Sequence, residues 1–181
     1  RRDGLHIPQV AVNLSVQQLE RENLVIQVRE ALRDFDLPAQ CLELEVTESL
    51  IMRAPEKTLS ALQELKSLGV KLAVDDFGIG YSCLSYLKRL PLDRIKIDQS
   101  FVRDVGRDTN DETIVRAIIG LGKSLGLETV AEGIEEARQV SFLLREGCLS
   151  GQGYLFGMPL PAEDLITQWR EQIPGQGNRL H

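Results

Sequence analysis

The chain has 181 residues, 43% of them hydrophobic, with 27 acidic and 21 basic side chains and a formal net charge of −6. That size fits one domain with a sizeable core, and the negative balance excludes duplex nucleic acid as a partner, because counterion release needs clustered Lys and Arg. No apolar run approaches the roughly 18 residues of a membrane span, so this segment is expected to be soluble and to make no membrane contact. Cys41, Cys83 and Cys148 are odd in number and far apart; this argues against a disulfide framework or a zinc site and for a reducing cytoplasm, the cytoplasmic part of a membrane-anchored protein included.

Short β-rich runs alternate with amphipathic segments along the chain. Val10–Leu14 reads as a first strand, and Val25, Val28 and Leu32 then recur at helical spacing. Leu42–Val46 reads as the second strand. The helix after it closes at Leu65-Lys66-Ser67-Leu68, where Gly69 suits a left-handed C-terminal residue. Leu72–Val74 and Arg94–Ile97 are the next two strands. Asp111 and Glu112 open a helix whose apolar face is Ile114, Ile118, Leu121 and Leu125, and Gly126 ends it. Glu128–Ala131 is the fifth strand and a weaker run at Gly153–Phe156 the sixth; after Trp169 the chain reads as a frayed tail.

Strand, helix, strand without long linkers implies a parallel sheet, either doubly wound or closed into a (β/α) barrel. Polar residues stand at or just past nearly every strand's C-terminal end: Asn13, Glu45 with Glu48, Asp75 with Asp76, Lys96 with Asp98, Glu132 with Glu135, and Gln152. A barrel brings such ends to one mouth, whereas an open sheet strings them along an edge. The expected fold is therefore α/β, a barrel.

Oxygen donors from Asn13, Glu45, Asp75, Asp76 and Glu132 form a set for a hard divalent cation, magnesium or manganese rather than zinc or copper, and their number serves two ions. Asp75 is the candidate bridge. Two such ions activate a water and clamp a phosphodiester oxygen, and Lys96 in the same mouth orients that water or neutralises developing charge. The reaction this supports is phosphodiester hydrolysis. Taken singly, each residue has an ordinary role: Asp-Asp pairs are mostly solvated turns, Asn13 suits a strand-end cap, Glu43 and Glu45 line a wet barrel end, and Lys96 neutralises an acid. The joint recurrence carries the argument. His6 and His181 fall outside the pattern, Ser82 and Cys83 have no histidine nearby, and Gly78-Ile79-Gly80-Tyr81 lacks the spacing and Lys of a P-loop.

On these residues the sequence resembles the EAL-domain family, bacterial cyclic di-GMP phosphodiesterases. The stretches "VAVNLSVQQL", "LELEVTES", "LAVDDFGIGYSCLSYLKRLPLDRIKIDQSFV", "VAEGIE" and "GQGYLFGMPLP" carry the likeness in the family's order. The resemblance implies a (β/α)8 TIM-like barrel that binds two Mg2+ or Mn2+ ions and opens cyclic di-GMP to linear pGpG. Asn13, Glu45, Asp75, Asp76 and Glu132 correspond to metal ligands and Lys96 to the catalytic lysine. Gln152 resembles the residue that positions active-site water, and Glu48 the acid that holds the loop Phe77 to Ser82, which in the family couples metal binding to dimerisation. Glu135 is similar to an outer acid near the second metal. A homodimer and upstream sensory or signalling domains are implied as partners.

The namesake Glu-Ala-Leu strand that would precede Val10–Leu14, and the arginine after it, do not occur; the tripeptide Glu30-Ala31-Leu32 lies instead in the helical segment of Val25, Val28 and Leu32. The expectation is that about two of the eight strand units precede Arg1, so that residues 1–171 are an EAL-type barrel lacking its N-terminal part, about the last six strand–helix units, and 172–181 a C-terminal tail. On that reading the intact protein is the phosphodiesterase, and these residues alone are weakly active or inactive. Ile79 and Cys83 also depart from the family pattern, in or beside the coupling loop. The alternatives are a non-catalytic cyclic di-GMP receptor, which would usually have lost ligands, and a barrel enzyme using acids and a lysine base on a carbon acid.

Overall fold

The computed structural model describes residues 9–19, 21, 23–80 and 84–171. His6, Tyr81, Ser82, Cys83, His181 and the tail 172–181 lie outside them. Six strands, β1 (Val10–Asn13), β2 (Leu42–Thr47), β3 (Lys71–Phe77), β4 (Arg94–Ile97), β5 (Glu128–Ala131) and β6 (Ser150–Gly151), form one sheet in sequential order with every neighbouring pair parallel. A doubly wound sheet would reverse its order at a switch point. This order does not, so the strands are six successive units of a (β/α) barrel wall.

The helices are α1 (Val16–Leu19), α2 (Leu24–Asp34), α3 (Glu48–Arg53), α4 (Pro55–Ser67), α5 (Leu84–Leu87), α6 (Gln99–Arg103), α7 (Thr109–Leu125), α8 (Ala137–Glu146) and α9 (Ala162–Glu171). Their starts follow from local chemistry. Thr47, Asp98 and Asp108 each accept a backbone N–H two or three residues on, opening α3, α6 and α7. Gly126, at φ 69°, ends α7 in the left-handed conformation that a residue without Cβ adopts cheaply.

Strand alternation and parallel register give the sheet two different faces. Leu44, Val46, Leu72, Val74, Ile95 and Ile97 are buried in the apolar core shared with Leu62, Leu65, Val102, Val115 and Ile119 from the helices. Full burial of each such side chain contributes about 1.5 to 3 kcal/mol. The opposite face carries Glu43, Glu45, Asp75, Arg94 and Lys96, with Glu128 level with Arg94. Buried charges need partners, and Arg94 supplies one layer of them: its Nη1 donates to Glu43 at 2.9 Å and to Gln9 at 2.8 Å, and its Nε to Glu128 at 2.8 Å.

Two strand expectations need correction. The sixth strand lies at Ser150–Gly151, not Gly153–Phe156. Residues 153–156 are a turn closed by Phe156 N–H donating to Gly153 O at 3.0 Å, with Tyr154 and Phe156 exposed; clustered aromatics there imitate a strand's composition without its ladder. β3 runs through both aspartates to Phe77, beyond the Leu72–Val74 core of the expectation. The helix α9 continues to Glu171, past Trp169. No disulfide joins Cys41 to Cys148, and no helix among the described residues is long and apolar enough to cross a membrane.

Candidate functional site

The register of β3 on β4 shifts between Val74, which faces Ile95, and Phe77, which faces Ile97. Three steps on one strand against two on the other mean one extra residue, a β-bulge, and Asp76 in it has φ 53°. The bulge is what lets adjacent aspartates serve one site. Oxygens of Asp75, Asp76 and Glu132 lie within 4.8 Å of one another.

Lys96 is 4% exposed and stands at the centre of the acids. Its Nζ is 2.8 Å from Glu45, 3.1 Å from Asp75 and 2.7 Å from Glu132, from β2, β3 and the end of β5. Burial works against the ammonium, but its bonds to Glu132 and Glu45 outweigh that and hold it above the ordinary lysine range. Burial also pushes the Glu45 and Glu132 carboxyls up, with Lys96 pulling the other way and Asp75 adding repulsion. Asp76 is raised by burial, by Asp75 and by Asp98. One cation shared among this many carboxylates cannot neutralise them all. The lysine stays charged and negative charge remains in surplus.

Gln152 donates from Nε2 to the same Glu132 Oε1 at 2.8 Å. Glu48 begins α3 and accepts the backbone N–H of Gly78 at 3.2 Å, fixing the start of the chain beyond the aspartates. Gly80 passes so close that a Cβ there would lie 3.4 Å from Glu48 Oε2. Asn13 is exposed at the end of β1, level with Glu45 in the ladder. Glu135 is exposed on the loop after Glu132, and among the described residues no hydrogen bond or ion pair joins its carboxylate to the cluster. The structure thus brings Glu45, Asp75, Asp76, Lys96, Glu132 and Gln152 together, sets Glu48 behind them and Asn13 beside them, and leaves Glu135 outside.

Two features had no assigned role in the sequence reading. Asp98, 6% exposed, presses on Asp76 while capping α6 through Ser100 N–H at 2.8 Å. The Arg94–Glu43 pair forms the charged layer beneath Lys96–Glu45. Both continue the every-second-residue pattern Arg94, Lys96, Asp98 and Glu43, Glu45, which is the available sequence signal.

A family model described as EAL domain matches residues 1–159. A bifunctional diguanylate cyclase/cyclic di-GMP phosphodiesterase of Pseudomonas aeruginosa, MucR, is 48% identical over 166 residues, 91% of this chain and 24% of that protein. A solved structure described as the PaMucR phosphodiesterase in complex with c-di-GMP superposes with a TM-score of 0.83 at 48% identity, covering 87% of this chain and 64% of that one. The manganese/cy-diGMP complex of Klebsiella pneumoniae BlrP1 is similar with a TM-score of 0.78 at 34% identity, over 83% of this chain and 39% of that one. The chain spans at most about a quarter of the length of the curated relatives it matches.

Proposed function

This chain belongs to the EAL domain family, and from that premise we propose that it carries the reaction centre of a phosphodiesterase that opens cyclic di-GMP to linear pGpG with two Mg2+ or Mn2+ ions. The observation that carries the reading is Lys96, buried among Glu45, Asp75 and Glu132 at the C-terminal ends of neighbouring strands. That is the end of a barrel where catalytic groups gather. The donor set fits the ions. Its oxygens are hard, three of them converge within 4.8 Å, and four carboxylates, counting Asp76, face one ammonium. Divalent cations remove that surplus.

In this reading Asn13, Glu45, Asp75, Asp76 and Glu132 would hold the ions, Asp75 being the ligand the two would share. When bound, such ions place positive charge against the phosphodiester and lower the pKa of a neighbouring water. Lys96, held by Glu45, Asp75 and Glu132, is placed to act as a hydrogen-bond donor to that water or to the oxygens on which charge develops. Gln152 fixes the Glu132 carboxylate and reaches water from the same side. Glu48 ties metal-site geometry to the loop 77–82, through which the chain is proposed to form a homodimer; Glu135 is the outermost acid. The proposed domain limits are 1–171 and 172–181, with signalling domains in the rest of the protein.

The test is chromatographic assay of pGpG from cyclic di-GMP by the whole protein, in Mn2+ or Mg2+ and in chelator. Product formed only with metal, and lost in Lys96→Met, supports the proposal. Binding of cyclic di-GMP with no product in either condition would replace it with the receptor reading.

A further inference from the structure

Gln139 is 1% exposed, among the most completely buried polar side chains described. Its Oε1 accepts two backbone N–H groups, from Glu135 and Glu136, each at 2.8 Å. Its Nε2 donates to the carbonyls of Val102 and Arg103, each at 3.2 Å. The Glu136 contact belongs to an ordinary capping box that opens α8. The other three do not serve α8 at all. They join the segment that follows Glu132 to the last turn of α6, the helix that follows Lys96.

The rest of that segment is tied down as closely. Glu132 N–H donates to Ile97 O at 3.1 Å, and Ile134 N–H to Gln152 O at 3.0 Å. A Cβ on Gly133, which has φ 66°, would meet Gln99 Cβ at 2.5 Å. Glu132 therefore enters the site from a stretch clamped at both ends, by the sheet before it and by Gln139 after it. Because α6 is capped by Asp98, two residues beyond Lys96, the Gln139 amide fixes two consecutive strand-to-helix connections against each other. The Glu132 to Lys96 distance of 2.7 Å is set across that link.

We propose that Gln139 is a positioning residue for the metal and phosphodiester site, locking the Glu132 loop to the helix that follows Lys96. The inference rests on the proposed function. Without the amide, the part-buried N–H groups of Glu135 and Glu136 and the carbonyl of Arg103 lose this partner, while Val102 O keeps the N–H of Val105, and the loop is free to drift from the lysine by the sub-ångström distances that matter in such sites.

The test compares the whole protein with Gln139→Met, which fills the same space without the amide, and with Leu65→Ala, a core truncation at the far end of α4. Calorimetric Mn2+ titration, amide exchange at residues 133–136 and steady-state turnover of cyclic di-GMP are measured on each. In Gln139→Met, Mn2+ affinity is expected to fall about tenfold, the 133–136 amides to exchange faster, and kcat to fall about tenfold or more with KM little changed; Leu65→Ala keeps all three while melting earlier. Gln139→Glu keeps the acceptor for the Glu135 and Glu136 amides, and its exchange protection there should recover even if Gln139→Met proves too unstable to assay. Wild-type Mn2+ affinity and kcat in Gln139→Met, or equal losses in Leu65→Ala, would overturn the inference. A wild-type protein that makes no pGpG, yet loses Mn2+ affinity on Gln139→Met, would sink the proposed reaction and leave the positioning role standing.

Discussion

Lys96 Nζ on β4 lies 2.7 Å from Oε1 of Glu132, the residue directly after β5, although the two are 36 positions apart in the chain. The pair closes the acidic ring: one ammonium, buried and held above its ordinary pKa, answers carboxylates from three strands. Removing it should hurt both folding and chemistry. In Lys96→Met the metal-free protein is expected to lose about 3 kcal/mol, the scale for a buried charge left without its partner. Urea denaturation in chelator measures this, and Mn2+ should restore much of the loss. Turnover should fall by about 10²- to 10⁴-fold and should not recover with metal.

Asp76 offers the opposite separation. Its φ of 53° is tolerable for Asn as for Asp, so Asp76→Asn keeps the bulge while removing a charge crowded by Asp75 and Asp98. The folded carboxyl titrates above 3.8, its unfolded reference, so the folded state holds that proton more tightly. Stability of the metal-free wild type therefore declines as pH rises through this window, and the variant does not share the decline. Asp76→Asn should melt at or above the wild-type temperature at pH 7, with the advantage vanishing near pH 3, and turnover should fall at least about 10²-fold. Melting curves in chelator at the two pH values check the sign.

At the opposite end of the sheet Asp93 accepts from Lys66 at 2.5 Å, Lys71 at 3.1 Å and Leu72 N–H at 2.9 Å. Burial alone would raise its pKa, but these three donors together lower it. A depressed carboxyl stabilises above its unfolded pKa and loses that contribution as pH falls through the folded value. Asp93→Asn should thus cost about 1 to 2 kcal/mol at pH 6, discounted for partial exposure. At pH 3 the difference should shrink. Activity at neutral pH should stay close to wild type, since Asp93 stands away from the mouth.

Gly153 packs against the backbone N and O of Ile134, leaving no room for a Cβ. Gly153→Ala must therefore push Gln152 and its bond to Glu132 out of place. We expect a cost of about 1 to 3 kcal/mol together with a turnover loss of tenfold or more. Gly126→Ala is the contrast. Nothing lies within 4 Å of a Cβ there, but φ is 69°, so strain of about 1 kcal/mol should appear in urea denaturation with turnover unchanged.

Much of the fold is legible in local pattern. The alternation in "LELEV" and "RIKID" separates a helix-packed apolar face from a charged one, and caps such as Asp108 and Gly126 mark where α7 begins and ends. The position of the weaker β6 is not legible in the pattern, because only two of its residues make ladder bonds, too few to impose a period. Glu135 shows a similar limit for the site: its position in a strand-end motif reads like Glu132's, yet only Glu132 reaches the lysine.

The sequence by itself determined the parallel strand–helix alternation, the class of residue at each strand end, and the hard-oxygen chemistry those residues share. Only the tertiary structure decided that a bulge turns Asp76 toward Asp75 and Glu132, that Lys96 is claimed by three acids at once, and that Gln139 bridges two loops. The reason is physical. Side-chain period and capping are settled within a few residues by backbone geometry, whereas the register shift of β3 on β4 and the spacing of charges across strands depend on segments tens of residues apart being packed against one another.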